Sequence, residues 1–280
     1  MQINNKILNR NNIIIFFFLF LILNYLFFNY RILARENGYI LGDWVINYSG
    51  GFVKRGLLGH IFYSLSLYSN ISIVNIIFFF SSLIYITSVY WFYLILKDRL
   101  NNNLILIFIL LPSTFLFNFF DPLTVGRKEI LVFFFFTFYY LKVDKIDSFL
   151  KYKIITFIAF ITIILTHEII FFFIPYLFIL KFLYKENVNK FKFNDYSLEF
   201  LILFFGILIF FTIIKINHLH DNEVLCNSLQ NIYLTKNTCW AINDFKSQIT
   251  INFLYSYFLE KNYYKNYLLY FILTTIPLIL

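Results

Sequence analysis

The chain has 280 residues, 60% of them hydrophobic and 24% aromatic, with a mean hydropathy of +0.74. Soluble domains use about 45–50% apolar residues, so a soluble fold is excluded and the chain reads as an all-α, polytopic transmembrane helical bundle. The net charge of +8 sits on Lys and Arg that flank apolar runs, which assigns it to anionic lipid and to holding loops on one face, with no nucleic-acid partner.

Lys6 and Arg10 precede an apolar run from Ile13 to Phe28. The exit, NYRILARENG, has no small-x-small cleavage site, so the run reads as an uncleaved signal anchor with a cytoplasmic N-terminus. Residues 29–70 then form an external segment. Six of the eight glycines of the chain fall between Gly38 and Gly59, in GYILGDWVINYSGGFVKRGLLG. Glycine permits positive φ and close backbone approach, so this concentration marks a specific, tight backbone path. Asp43, the pair Lys54 and Arg55, and the rings Trp44 and Tyr48 share it.

The apolar spacing of three and four from Leu57 to Leu67 reads as an interfacial helix. Ile71 to Leu96 is long enough to return through a bilayer, and it stops at Lys97 and Arg99. Leu104 to Phe120 leads to the polar apex DPLTVGRKE, Asp121 to Glu129. The apolar leg after it, of about 12 residues, covers only about 18 Å. Ile154 to Leu183 is interrupted by Thr166, His167 and Glu168. It is either one helix with a His and a Glu at mid-membrane or a short hairpin with these residues at its tip. The positive-inside rule favours the hairpin, which returns Lys185, Lys190 and Lys192 to the cytoplasm. Both tips then lie below the outer surface, where charged chain is tolerated only against protein or a water-filled cavity. Arg31 and Arg35 argue for the inverted orientation.

Leu198 to Ile214 is a further span. Residues 216–266 form the longest polar loop, with an interfacial helix from Asp244 to Phe258. Tyr267 to Leu280 has the pattern of a span cut short. The count is about seven or eight membrane segments in one integral membrane domain, 1–280. Cys226 and Cys239 share the polar loop; on an oxidising side they are disulfide candidates, in the cytoplasm free thiols. His218, His220 and Asp221 form a weak metal set. No cofactor is implied, and a divalent metal stays open.

On this topology Asp43, Lys54, Arg55, Asp121, Arg127, Lys128, Glu129, His167 and Glu168 converge on one face. Mutual ion pairing, for instance of Glu129 with Arg127 or Lys128, is the alternative reading of this set. Arginines offer bidentate donors and lysines point charges to a phosphate or diphosphate, so Lys54, Arg55, Arg127 and Lys128, with Asp121 beside them, are candidate substrate binders. Asp43 is the candidate base, His167 and Glu168 an auxiliary pair, and Trp44 and Tyr48 candidate sugar-packing rings or members of an interfacial aromatic belt.

An acid in the first external loop, an interfacial helix after it, and short hairpins around an outer cavity resemble the GT-C class of membrane glycosyltransferases over roughly residues 10–185. The resemblance is architectural. It implies a polyprenyl-phosphate-linked sugar donor in bacterial cell-surface polysaccharide or glycolipid assembly at the inner membrane, with Asp43, or Glu36 as a second candidate, as base. O-antigen polymerases are similar in outline. A transporter or flippase for a lipid-linked or anionic substrate, and a non-catalytic subunit, are the alternatives.

Overall fold

The computed structural model describes residues 10–35, 38–97, 125–184, 193–216 and 221–230. Asp121, Glu36, His218, His220 and Cys239, the 244–258 helix and the terminal run lie outside them. The described chain is helical, with no strand among the described residues. In order, α1 is Arg10–Ala34, α2 Gly38–Val45, α3 Gly56–Ser69, α4 Ile73–Leu96, α5 Ile130–Ser148, α6 Leu150–Thr166, α7 Ile174–Tyr184, α8 Ser197–Ile216 and α9 Asn222–Gln230; 3₁₀ turns span Glu168–Phe173 and Phe193–Tyr196.

Long runs of Ile, Leu and Phe favour helix here because a helix satisfies its own backbone while presenting side chains on every face. Ile14–Ala34 and Ile73–Leu96 are long and apolar enough to cross a membrane by length and composition; Ile170–Tyr184 and Ser197–Ile213 are shorter apolar helices. Two candidate spans thus lie among the described residues, where seven or eight membrane segments are expected of the whole chain. One reason is local: α5 does not stop at Leu141 but runs on through Lys142, Asp144, Lys145 and Asp147. The expected short apolar leg is part of a 19-residue helix, in which Asp144 accepts from Tyr184, Lys145 lies over the Tyr152 ring and Asp147 meets Lys181.

α1 and α4 pack antiparallel, as the pairings Tyr30–Phe78, Tyr25–Tyr85 and Phe18–Tyr93 show. In the segment expected as a glycine-rich loop plus a helix, α3 covers the expected helix from Leu57 to Leu67 and Gly38–Val45 is helical as well. α1 continues past Arg31, and α2 and α3 turn back against α1 and α4. Phe62 meets Phe80 at 5.0 Å, seven residues inside α4. Leu41 and Trp44 are fully buried. The reason is glycine: a Cβ on Gly59 would stand 1.9 Å from the Ile46 carbonyl oxygen, so only glycine lets α3 cross the chain leaving α2. Gly50 makes the same kind of contact with Asp221, whose backbone N–H donates to the Gly50 carbonyl at 2.8 Å. This seats α9 on the turn, and Asn47 donates to Ser228 at 3.3 Å.

The chain around His167 forms the hairpin. α6 ends at Thr166, His167 is extended, and Glu168–Phe173 turns the chain back. Extended backbone at His167 makes the break that a Gly or Pro would otherwise signal. The far ends meet: Lys181 of α7 lies 2.7 Å from Asp147 and 3.1 Å from Glu199, and it donates to the Asp195 carbonyl. Tyr139 donates to Glu199, and Tyr184 donates to Asp144. Lys181 and Glu199 are buried, so this polar clasp ties α5, α7 and α8 at the end opposite the glycine turns.

Gly59→Ala should lower stability by about 1–3 kcal/mol, the usual range for overpacking. Gly56→Ala should cost less, because its Cβ would meet the Tyr48 ring and not backbone. Thermal unfolding of the two variants in mild detergent checks the order; equal midpoints would contradict it.

Candidate functional site

Two buried contacts bring the chemistry together. Asn29 on α1 donates to Ser81 at 2.9 Å and to Ser82 at 3.3 Å on α4. Gly126, at φ +82, lies against Asn29, where a Cβ would stand 2.6 Å from Oδ1. The turn leading into α5 is therefore seated at the level of Ser81, eight residues and about 12 Å inside α4. Trp44 fixes the same turn from α2, its indole N–H donating to the Gly126 carbonyl. Arg127, Lys128 and Glu129 follow directly.

Lys128 is completely buried. Its ammonium lies 3.0 Å from the Arg55 carbonyl, 3.4 Å from the Thr166 carbonyl and 3.9 Å from Asp43 Oδ1, and 5.8 Å from the centroid of the Trp44 ring. One side chain thus touches α2, the turn before α3, and the tip of the α6–α7 hairpin. Arg55 adds the second cation, its Nη1 3.3 Å from Asp43 Oδ1. Both side chains of that pair are largely sheltered, at 12% and 13% exposure. Arg55 has φ +66, a left-handed conformation that costs a non-glycine residue on the order of 1 kcal/mol. The conformation points its carbonyl at Lys128 while its guanidinium reaches Asp43.

At the rim, Arg127 Nη1 stands 4.0 Å and the buried His167 Nε2 3.9 Å from Glu129 Oε1. These separations bring charge together without a direct hydrogen bond. Lys54 is half-buried beside Arg55. Among the described side chains of the recess and its rim, the cations Lys54, Arg55, Arg127 and Lys128 outnumber the carboxylates Asp43 and Glu129 by two. The helices α3 and α5 both begin here, at N-caps Arg55 and Glu129 that make no side-chain cap hydrogen bond. The positive ends of two helix dipoles thus lie beside Arg55 and Lys128.

Asp43, Lys54, Arg55, Arg127, Lys128 and His167 therefore share one region. Glu168 opens the 3₁₀ turn at its edge. Trp44 and Tyr48 both pack against other rings, Trp44 fully buried and Tyr48 half-buried. Trp44 is fully buried against Phe62 and Phe80 and leaves no ring face for a sugar. Tyr48 packs on Phe52 and His60, both at 5.5 Å, and burial pushes its phenol pKa up. Asp221 holds Gly50, and among the described residues no group of three His, Cys, Asp or Glu could hold a metal. Cys226 is half-buried on α9.

Sequence reasoning missed the supports: Asn29 with Ser81, the Thr166 carbonyl, and the Lys181–Glu199 clasp. A lone Lys and a lone Glu inside apolar runs were the available signal for the clasp. No family model, curated protein or solved structure matches the chain.

Lys128→Met should destabilise strongly, by about 3–5 kcal/mol, the range for breaking a buried ion pair by removing one partner. Arg55→Gly should unfold at a higher temperature than Arg55→Ala, because glycine relieves the left-handed backbone while both lose the guanidinium. Thermal denaturation of the three proteins decides both points.

Proposed function

We propose that the chain is a multi-pass inner-membrane protein of bacterial surface-glycan or glycolipid assembly, transferring a sugar from a polyprenyl-phosphate-linked donor. The observation that carries the reading is the buried ammonium of Lys128 beside Arg55, in a recess where two helix N-termini meet. A cation cluster of this kind suits a phosphate, since a buried lysine and arginine offer strong charge-assisted hydrogen bonds to it. The apolar exterior supports a lipid setting: Phe16, Phe79 and Phe211 are each 66–72% exposed, and extended apolar exteriors of this kind mark contact with lipid or protein. Helices α5 to α8 join α1 and α4 as membrane segments in this reading, the charged clasp facing the cytoplasm and the glycine turns the outside.

In the reaction, an acceptor hydroxyl attacks the anomeric carbon of the donor while the bond from that carbon to the phosphate oxygen breaks. The phosphate departs with the electron pair toward Arg55 and Lys128. Asp43 accepts the proton of the hydroxyl, and His167 with Glu129 stands at the rim as an auxiliary acid–base pair. Asp43 is the carboxylate in contact with both cations that would hold the leaving group, which places it near the reacting centre.

Purified protein in nanodiscs, given a radiolabelled polyprenyl-phosphate sugar and a lipid extract as acceptor source, should release polyprenyl phosphate. Asp43→Asn should lower that rate about 10²–10⁴-fold, the usual weight of a general base, without weakening donor binding. Wild-type turnover in Asp43→Asn would overturn the assignment of the base. Donor binding without any released polyprenyl phosphate would mean that the protein carries the lipid and does no chemistry on it. Orientation has its own check: in a background lacking Cys226 and Cys239, a cysteine at Ser72 should label from outside intact cells and one at Lys145 only after permeabilisation.

A further inference from the structure

Asp43 lies against the two cations that would hold a phosphate, 3.3 Å from Arg55 and 3.9 Å from Lys128. A carboxylate and a phosphate oxygen ask the same thing of a guanidinium and an ammonium. They cannot both have it at full strength in one sheltered recess. The geometry also says which cation can change partner. Lys128 is held by the carbonyls of Arg55 and Thr166, so its position belongs to the framework. Arg55 has its carbonyl committed to Lys128 by the left-handed backbone. Its side chain reaches Asp43 through one nitrogen and one oxygen, a single-point contact, whereas a phosphate can accept two parallel N–H groups from a guanidinium. The N-termini of α3 and α5 favour the more negative occupant.

We propose that Asp43 is an internal competitor for the phosphate seat formed by Arg55 and Lys128, so that binding of a phosphate group and release of Asp43 from Arg55 are one event. This rests on the phosphate-binding reading above and adds a control to it. The carboxylate is tied to Arg55 until the leaving group is in place, and only then is it open to an acceptor hydroxyl. An acceptor alone meets a carboxylate already engaged, which couples the two substrates without a moving domain.

The test is a cycle of phosphate affinities on the full chain in phosphatidylcholine nanodiscs, with inorganic diphosphate as one probe and farnesyl phosphate as the other. Asp43→Asn should bind the phosphate about tenfold more tightly than wild type, the scale of one charge-assisted contact made available. Asp43→Ser is run beside it so that one poorly folded variant does not decide the matter, and thermal unfolding reports folding in each case. Arg55→Gln should weaken binding by a similar factor. In the Arg55→Gln background, Asp43→Asn should give little further gain, because the cation it would release is gone.

A gain that persists undiminished in that background reflects long-range charge and overturns the competition. Weaker binding in folded Asp43→Asn and Asp43→Ser overturns it too, making Asp43 a counter-ion that positions the cations; the phosphate reading then survives. Failure of wild type and every variant to bind either probe sinks the phosphate reading itself. Tightening with both probes leaves the phosphate as the recognised element, and tightening with farnesyl phosphate alone assigns it to a lipid headgroup.

Discussion

A buried ammonium that must be satisfied at all times organises this protein. Lys128 has no exposure to water, and an uncompensated charge in such a place costs several kcal/mol. Its compensation comes from three separate stretches: the Asp43 carboxylate, the Arg55 carbonyl and the Thr166 carbonyl. None of these is near Lys128 in the chain. Satisfying it therefore requires that α2, the turn before α3 and the α6–α7 hairpin all arrive together. The left-handed Arg55 is one local cost of that arrangement, and the glycine contacts are another.

The two ends of the helix assembly solve the same problem in different ways. At the Lys181 end, the ammonium faces Asp147, Glu199 and the Asp195 carbonyl, with Tyr139 completing Glu199. Carboxylates outnumber the cation, every partner is close, and the cluster serves as a clasp between three helices. At the Lys128 end, cations outnumber the described carboxylates, and the contacts to Asp43 and Glu129 are longer. Short contacts throughout suit a framework. The longer contacts of the Lys128 end are the ones the proposed function draws on.

Glycine supplies the precision. Gly59 against Ile46, Gly50 against Asp221 and Gly126 against Asn29 are places where backbone or a buried amide comes closer than any Cβ allows. They set how far α2 and α3 enter the assembly and how deep the Asp43 and Lys128 side chains lie. The recess is thus made by main-chain packing. Of the aromatic residues nearby, Trp44 lies under the Lys128 ammonium and Tyr48 packs on Phe52 and His60.

Much of this was legible in the sequence, for identifiable reasons. Composition alone demanded an all-helical, apolar chain, because Phe, Ile and Leu in runs of this length leave few polar faces. The crowding of glycine between Gly38 and Gly59 announced close backbone approach, and the pairs Lys54–Arg55 and Arg127–Lys128 marked the chain's clustered cations. Local pattern could not say that α2 and α3 turn back into the helices, since apolar spacing is the same for a helix on a surface and one packed against protein. Nor could it separate buried Trp44 from a ring open to a ligand, or give α5 its full length, because charged residues extend a helix only when partners such as Lys181 and Tyr184 are near. Which cation meets which carboxylate depends on contacts between residues tens of positions apart. The sequence by itself determined the kinds of group present and their placement on helices and turns; the tertiary structure alone decided their pairing, since a charge in an apolar interior takes its partner from whatever the packing brings within reach.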